Sequence, residues 1–280
     1  MYTKSIRIMA VIDPTRNDQW ALKKALSIAR NRAGSTITAF LAVFSDIRCD
    51  DPERLRLVEL ARHRLWLDAQ LKSFDHDGVT VEAEVVWDRD WREAVCVAAE
   101  RDRHDLVIKH ASARPASLAN SDRQLIRALR GSALLLVKHD PQQELRKVLV
   151  AVDFNAADES HAELNDAIIA LGKNLRGSGD AIELHSISAY PEADRFVHPP
   201  DVAKMLGIAR SQAHVRQGSA AEVIPRMANR IHADLVIVGN VGRIGVAGVT
   251  IGNTAEKILA EIEADVLVLV LEEARARSAA

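Results

Sequence analysis

The sequence predicts an α/β protein made of two tandem copies of one domain, each a five-stranded parallel sheet flanked by helices. Two observations carry that expectation. The first is self-similarity: "IRIMAVID" (6–13) returns as "RKVLVAVD" (146–153), "HDLVIK" (104–109) as "ADLVIV" (233–238), and "ALLLVKH" (133–139) as "DVLVLVL" (265–271), in the same order. The second is alternation: continuous Val/Ile/Leu runs are separated by segments with helical apolar spacing. That is the pattern of parallel strands covered on both faces. The polar stretch "HDPQQELR" (139–146) separates the copies, placing the domains at 1–140 and 145–272.

In the first copy, strands are expected at 6–12, 36–44, 79–87, 106–109 and 133–138. The first helix presents Ala21, Leu22, Ala25, Ile28 and Ala29 to the core. The second is expected to bury Leu57, Leu60, Ala61, Leu67 and Leu71 on one face. The second copy repeats the first helix with Leu164, Ala167, Ile168, Leu171 and Leu175. It is about 14 residues shorter between its second and third strands. There the long helix shrinks to "PPDVAKMLGIA" (199–209).

Composition bounds the function. The chain has 280 residues, is 48 % hydrophobic and 27 % charged, and carries a net charge of -2, so electrostatics give no reason to expect nucleic acid or an anionic membrane as partner. With 4 % aromatic residues, the cores must be built from Ala, Val, Leu and Ile. No apolar run reaches membrane-spanning length, and "MYTKSIRIMAVID" reads as a strand rather than a signal peptide. Cys49 and Cys96 have neither metal-ligand nor disulfide-framework spacing. The expected location is cytoplasmic. None of the 10 histidines falls in a recognised metal motif. His185 reads as a core histidine, and His198 in "VHPPD" as a loop residue.

One stretch stands apart. In "VIVGNVGRIGVAGVTIGNTAEKI" (236–258), five of the 13 glycines, Gly239 to Gly252, follow a strand and lead into a helix capped by Asn253 with Glu256. Such a strand, turn and helix N-terminus can hold phosphate on backbone N–H groups. No Lys-Ser/Thr follows, so it is not a Walker loop, and it follows the fourth strand of its unit, so it is not the dinucleotide fingerprint. Spacing alone leaves a phosphate cradle and a surface loop with a helix cap both open. The first copy has no glycine between Gly78 and Gly131; His110, Ser112, Arg114 and Pro115 stand where the cradle would be.

The glycine pattern, with "VAVD" before it and "ADVLVLV" after, resembles the ATP-binding universal stress proteins, whose signature is Gly-x2-Gly-x9-Gly-Ser/Thr. The likeness spans the chain twice over. "VIDPTRNDQWAL", "VVWDRDWREAV" and "HDLVIKHAS" are similar to the E-type tandem members of that family. The resemblance implies Rossmann-like domains of the adenine nucleotide alpha hydrolase-like kind, a pseudo-dimer of two halves that can pair again as a homodimer, and ATP, with or without Mg, in the second domain. It implies that Asp153 binds the adenine edge, that Ser186 reads the base through its backbone, and that Gly239, Gly242, Gly252, Asn253 and Thr254 line ribose and phosphates. Asn253 departs from the family's Ser/Thr, leaving the hydroxyl contact to Thr254 or replacing it by the amide. Arg243 is either a phosphate partner or a solvated arginine. With no nucleophile elbow and no paired carboxylates, the expected role is a stress-response binding module. Slow ATP hydrolysis at the same site, or a scaffold for a non-nucleotide ligand, are the alternatives.

Overall fold

The computed structural model describes residues 5–112, 121–154, 159–177, 182–240 and 261–270. The strands fall where the apolar runs predict: β1 Arg7–Val11, β2 Thr36–Val43, β3 Thr80–Trp87, β4 Leu106–His110 and β5 Ala133–Val137, then β6 Lys147–Ala151, β7 Glu183–Tyr190, β8 Ala213–Gln217, β9 Leu235–Asn240 and β10 Asp265–Val270. The helices are α1 Trp20–Arg30, α2 Pro52–Lys72, α3 Trp91–Arg101, α4 Ser121–Ala128, α5 Glu159–Gly177, α6 Pro199–Leu206 and α7 Ala220–Ile231.

All ten strands form one sheet in the order β3-β2-β1-β4-β5-β10-β9-β6-β7-β8. Within each half the neighbours are parallel; across the centre, β5 and β10 run antiparallel, with Leu135 opposite Leu267. The expected pairing of the two copies is therefore made by main-chain hydrogen bonds. This antiparallel seam points the carboxyl ends of the two halves' strands to opposite edges of the sheet.

Because the strands are covered on both sides, alternate residues feed two cores. Ile8, Leu22, Leu67, Val150, Leu164, Ile168 and Val202 belong to the layer under α1, α2, α5 and α6. Val95, Leu125, Leu149, Ile187, Met227 and Val236 belong to the layer under α3, α4 and α7. At about 25 cal/mol per Å² of apolar surface removed from water, these layers supply the main favourable term of folding. Gly172 in α5 lets that helix approach the sheet, since a Cβ there would lie 2.9 Å from Val150 Cγ1.

Polar side chains fix the seam. Asp265, buried at the start of β10, accepts from the Lys138 amide at 2.7 Å and pairs with Lys24 of α1 at 3.1 Å. The Lys138 ammonium donates to the Ile262 carbonyl. Burial works against its charged form and holds its pKa below the ordinary lysine value.

The shortened helix of the second copy is observed: α6 has 8 residues where α2 has 21. It ends on Gly207 in the left-handed conformation at φ +67°. The expected burial of one α2 face is half right. Leu67 and Leu71 are buried and Leu60 partly so, but Leu57 is 66 % exposed and Ala61 faces solvent. Apolar residues occur on two sides of this helix, so periodicity alone cannot choose the packed face.

Candidate functional site

Parallel α/β sheets bind ligands beyond the carboxyl ends of their strands, where the strand order reverses. In each half that point lies between the first and fourth strands. Strand register makes the two mouths comparable residue by residue. Ile8 pairs with Leu106 as Val148 pairs with Leu235, so Lys109 corresponds to Val238 and His110 to Gly239. Asp105 and Asp234 confirm the match: each carboxylate accepts the amide of its half's first strand, Arg7 at 2.8 Å and Lys147 at 2.7 Å.

Asp13 and Asp153 stand at the ends of β1 and β6, each held by an amide side chain. Gln19 donates to the Asp13 carbonyl at 2.8 Å while its oxygen accepts the Asp13 amide at 3.2 Å. Asn165 of α5 does the same for Asp153, at 2.6 and 3.1 Å. This clamp fixes where each aspartate points. Nothing in the sequence identifies Asn165, because its link to Asp153 depends on the phase of a helix that starts between them.

In the first half the mouth is filled by its own side chains. Asp13 accepts from the Thr15 amide and hydroxyl at 3.0 and 2.6 Å and from Arg16 at 3.2 Å. Burial works to raise the Asp13 pKa, but these bonds outweigh it and hold the carboxyl below its usual range. The other face of Arg16 meets His110, whose Nε2 lies 3.2 Å from Nη1. Since arginine can only donate, that nitrogen is the acceptor and His110 is neutral. Burial, reinforced by Arg16 and Lys109, holds its pKa below the ordinary histidine value. The ring stacks on Trp20 with centroids 4.4 Å apart and planes 6° from parallel.

At the same end of the first half, the carboxylate of Asp122 in α4 reaches back to the end of β4. It accepts from Lys109 at 2.8 Å and from the Ser112 amide and hydroxyl at 2.8 and 2.9 Å. Only 8 % of the Asp122 side chain and 12 % of that of Lys109 is exposed. A buried carboxylate thus takes the backbone N–H and the ammonium that an external anion would otherwise seek.

The second half has neither group. Val238 replaces Lys109, and counting back without gaps from the paired strands β5 and β10 puts Thr254 opposite Asp122. Gly239 replaces His110, and α5 packs onto it. A Cβ on Gly239 would lie 2.3 Å from Leu164 Cδ2, so this position requires glycine for packing whatever else it does. The next residue, Asn240, is buried and reaches across the seam toward the Ile126 carbonyl at 3.4 Å.

Of the residues singled out from sequence, Asp153 and Gly239 end neighbouring strands at one mouth. Gly242, Arg243, Gly252, Asn253 and Thr254 lie outside the described residues. The structure does not bring Ser186 to that mouth. It sits in mid-strand, in register with Val150 on one side and Ala213 on the other, fully buried. Ala151 is in register with Ile187, so the β7 residues level with and beyond Asp153 are Ala189 and Tyr190. Their backbones stand where the resemblance placed that of Ser186. The hydroxyls of Ser186 and Ser188 are buried with no hydrogen-bond partner among the described residues.

The remaining candidates have structural roles. His185 meets His214 of the edge strand at 3.2 Å, and His198 precedes α6 with its ring edge-on to Phe196. Burial pushes the Cys96 thiol up to about 11, leaving it unreactive at neutral pH. No cluster of three or more metal-ligating side chains occurs among the described residues. None of the described helices is long and apolar enough to cross a membrane. A cleft of about 180 Å³ lies at the amino ends of β9 and β10, but its central carboxylates are engaged: Asp234 by the Arg146 and Lys147 amides, Asp265 by Lys24 and Lys138.

Comparison with known proteins agrees with this architecture. The profile described as "Universal stress protein family" matches residues 201–269. Universal stress protein E of Escherichia coli K12 is 28 % identical over 295 residues, covering 94 % of this chain and 93 % of its own. A universal stress protein E homolog of Haemophilus influenzae is 25 % identical over 296 residues, covering 93 % and 96 %. Among solved structures, a functionally unknown protein of Pseudomonas aeruginosa PAO1 superposes with TM-score 0.71 at 26 % identity, covering 96 % of this chain and 93 % of that one. A universal stress protein of Archaeoglobus fulgidus superposes with TM-score 0.75 at 16 % identity, covering 97 % and 98 %, a likeness of fold. A doubled sheet, the profile match in its second half and relatives aligned along nearly the whole chain point the same way: this chain is similar, over almost its full length, to the universal stress proteins of the E type.

Proposed function

We propose that this stress-response protein binds ATP, with or without Mg, in its C-terminal domain (145–272), and that the N-terminal domain (1–140) serves as its built-in partner. The observation that carries the reading is the contrast between the mouths. The first supplies its own anion and cation in Asp122 and Lys109; the second has Val238 and Thr254 at those positions and a glycine-rich sequence between them. A mouth whose aligned sequence lacks the Lys109–Asp122 pair, followed by a stretch carrying five glycines, suits an external phosphate chain. In this reading Asp153, held by Asn165, binds the base edge, and the β7 backbone at Ala189 and Tyr190 beside it supports that role. The described residues provide no general base, which favours a ligand-responsive binding module, acting in the cytoplasm, over an enzyme.

Calorimetry on nucleotide-stripped, full-length protein tests this. One ATP per chain is expected, and a Gly242→Asp variant should abolish it by placing a carboxylate among the phosphate donors. Absence of any adenine-nucleotide heat in the unsubstituted protein overturns the proposal.

A further inference from the structure

The solvent side of α2 is apolar. At 3.6 residues per turn, Leu57, Val58, Ala61, Leu65 and Ala69 fall within about a third of the helix circumference, centred roughly 120° around the helix from the side that buries Leu67 and Leu71. All five are exposed, with Leu57 at 66 %, Val58 at 54 % and Leu65 at 72 %. Three of the eight exposed large hydrophobic side chains among the described residues thus sit on one stripe of one helix. A surface helix needs one apolar stripe for its own core; a second is the mark of an interface. The helix packs on β3, the outermost strand, far from the β5–β10 seam that joins the halves. The corresponding helix of the second half, α6, is too short to carry such a stripe.

We propose that the occupant of this stripe is the α2 helix of a second copy, running antiparallel about a two-fold axis at Ala61. The residue order argues for it. Two antiparallel helices centred on Ala61 place Leu57 beside the partner's Leu65, and Arg54 beside the partner's Asp68. Ala61 meets its own copy, a small residue at the point of closest approach. One step outward, Lys72 faces the acidic start of the partner helix at Asp50 and Asp51. The parallel arrangement would set Arg54 against Arg54 and Asp68 against Asp68, so charge selects the antiparallel one. Asp68 already takes Arg64 of its own helix at 3.2 Å, and its side chain stays 41 % exposed, leaving it open to Arg54 from outside. Antiparallel helix dipoles add to the preference. The pairing joins two-domain chains edge to edge, at the β3 side of the sheet.

Sedimentation of the full-length chain over a range of concentrations tests the proposal. A concentration-dependent dimer is expected. Leu57→Glu or Leu65→Glu should raise its dissociation constant at least about 100-fold, because one substitution removes two leucines from a two-fold interface. Both sites are solvent-exposed in the single chain, so circular dichroism and thermal midpoint should stay unchanged. Arg54→Glu alone and Asp68→Arg alone should weaken the dimer, and the two together should restore it. In a Cys49→Ser background, Ala61→Cys should cross-link to itself under mild oxidation, and Arg56→Cys should not. A monomer at every concentration overturns the proposal. So does a dimer that ignores the charge reversals or fails to cross-link at position 61, since it must use another face.

Discussion

The two mouths of the sheet are built on one plan and finished in opposite ways. Both end their first strand on an aspartate whose backbone is clamped by an amide, Gln19 for Asp13 and Asn165 for Asp153. Both secure the amino end of that strand with a second aspartate. Above this shared base, the described residues of the first half pair among themselves: Arg16 between Asp13 and His110, His110 on Trp20, Asp122 between Lys109 and Ser112. The second half replaces the ring with a glycine and the ammonium with a valine. The difference shows what duplication permits. One copy can fill its mouth with its own ion pairs while the other leaves those positions to glycine and valine, because the shared sheet holds both in place.

The largest effect should come from breaking the staple of the first mouth. Asp122→Ala leaves Lys109 buried without its carboxylate, and removing one partner of a buried ion pair costs about 3–5 kcal/mol. Urea unfolding at pH 7 should show that loss. The double variant Lys109→Met with Asp122→Leu should recover most of it, since apolar replacement of both partners is close to neutral. If ATP binding lives only in the second mouth, neither variant should alter nucleotide affinity in protein that remains folded. A change there would mean that the first mouth takes part in binding.

Gly239→Ala should come next. Its methyl group would lie 2.3 Å from Leu164 Cδ2, and overpacking of this kind costs about 1–3 kcal/mol. The cost should nearly vanish in a Leu164→Ala background, which opens the space; a double-mutant cycle on urea midpoints measures that coupling. The relieved double variant then provides a direct way to ask whether Gly239 also matters to a ligand. A full penalty that persists without Leu164 would show that packing is not what requires the glycine.

These residues also show what a sequence can and cannot disclose. The ten strands were legible because buried parallel strands must be continuously apolar, and the duplication because both copies keep the same strands in order. The contrast between the mouths was visible as glycines in one copy and side chains in the other. What escaped depended on geometry that periodicity does not encode. Ser186 is a matter of register: nothing local distinguishes a residue four places before the end of β7 from one at its end. Asn165 and the Lys109–Asp122 pair join positions 12 and 13 residues apart through a turn whose path the sequence does not specify. On α2, apolar residues on two sides defeat any attempt to choose the inward one, and the same ambiguity becomes informative once the packed side is known.

The smallest effect concerns the outer strands, where the halves again differ. Register places Glu84 of β3 opposite His214 of β8, and Thr38 of β2 opposite His185 of β7. The first half pairs Glu84 with Arg101 at 2.8 Å and Thr38 with His104 at 3.0 Å. The second sets two histidines 3.2 Å apart with ring planes 3° from parallel. Burial, and then the neighbouring His185, push the His214 pKa down to about 4. Between pH 6.5 and about 4 the unfolded chain therefore binds a proton at this site that the folded chain refuses. Stability from His214 is complete above pH 6.5 and declines as the pH falls toward 4. His214→Gln, an uncharged replacement able to keep a hydrogen bond to His185, should change little at pH 7 and flatten the fall in urea midpoint between pH 6.5 and 4.5. An unchanged acid slope in His214→Gln would move the loss to the lowered His110 or His104 of the first half, and place acid sensitivity in the stapled domain instead.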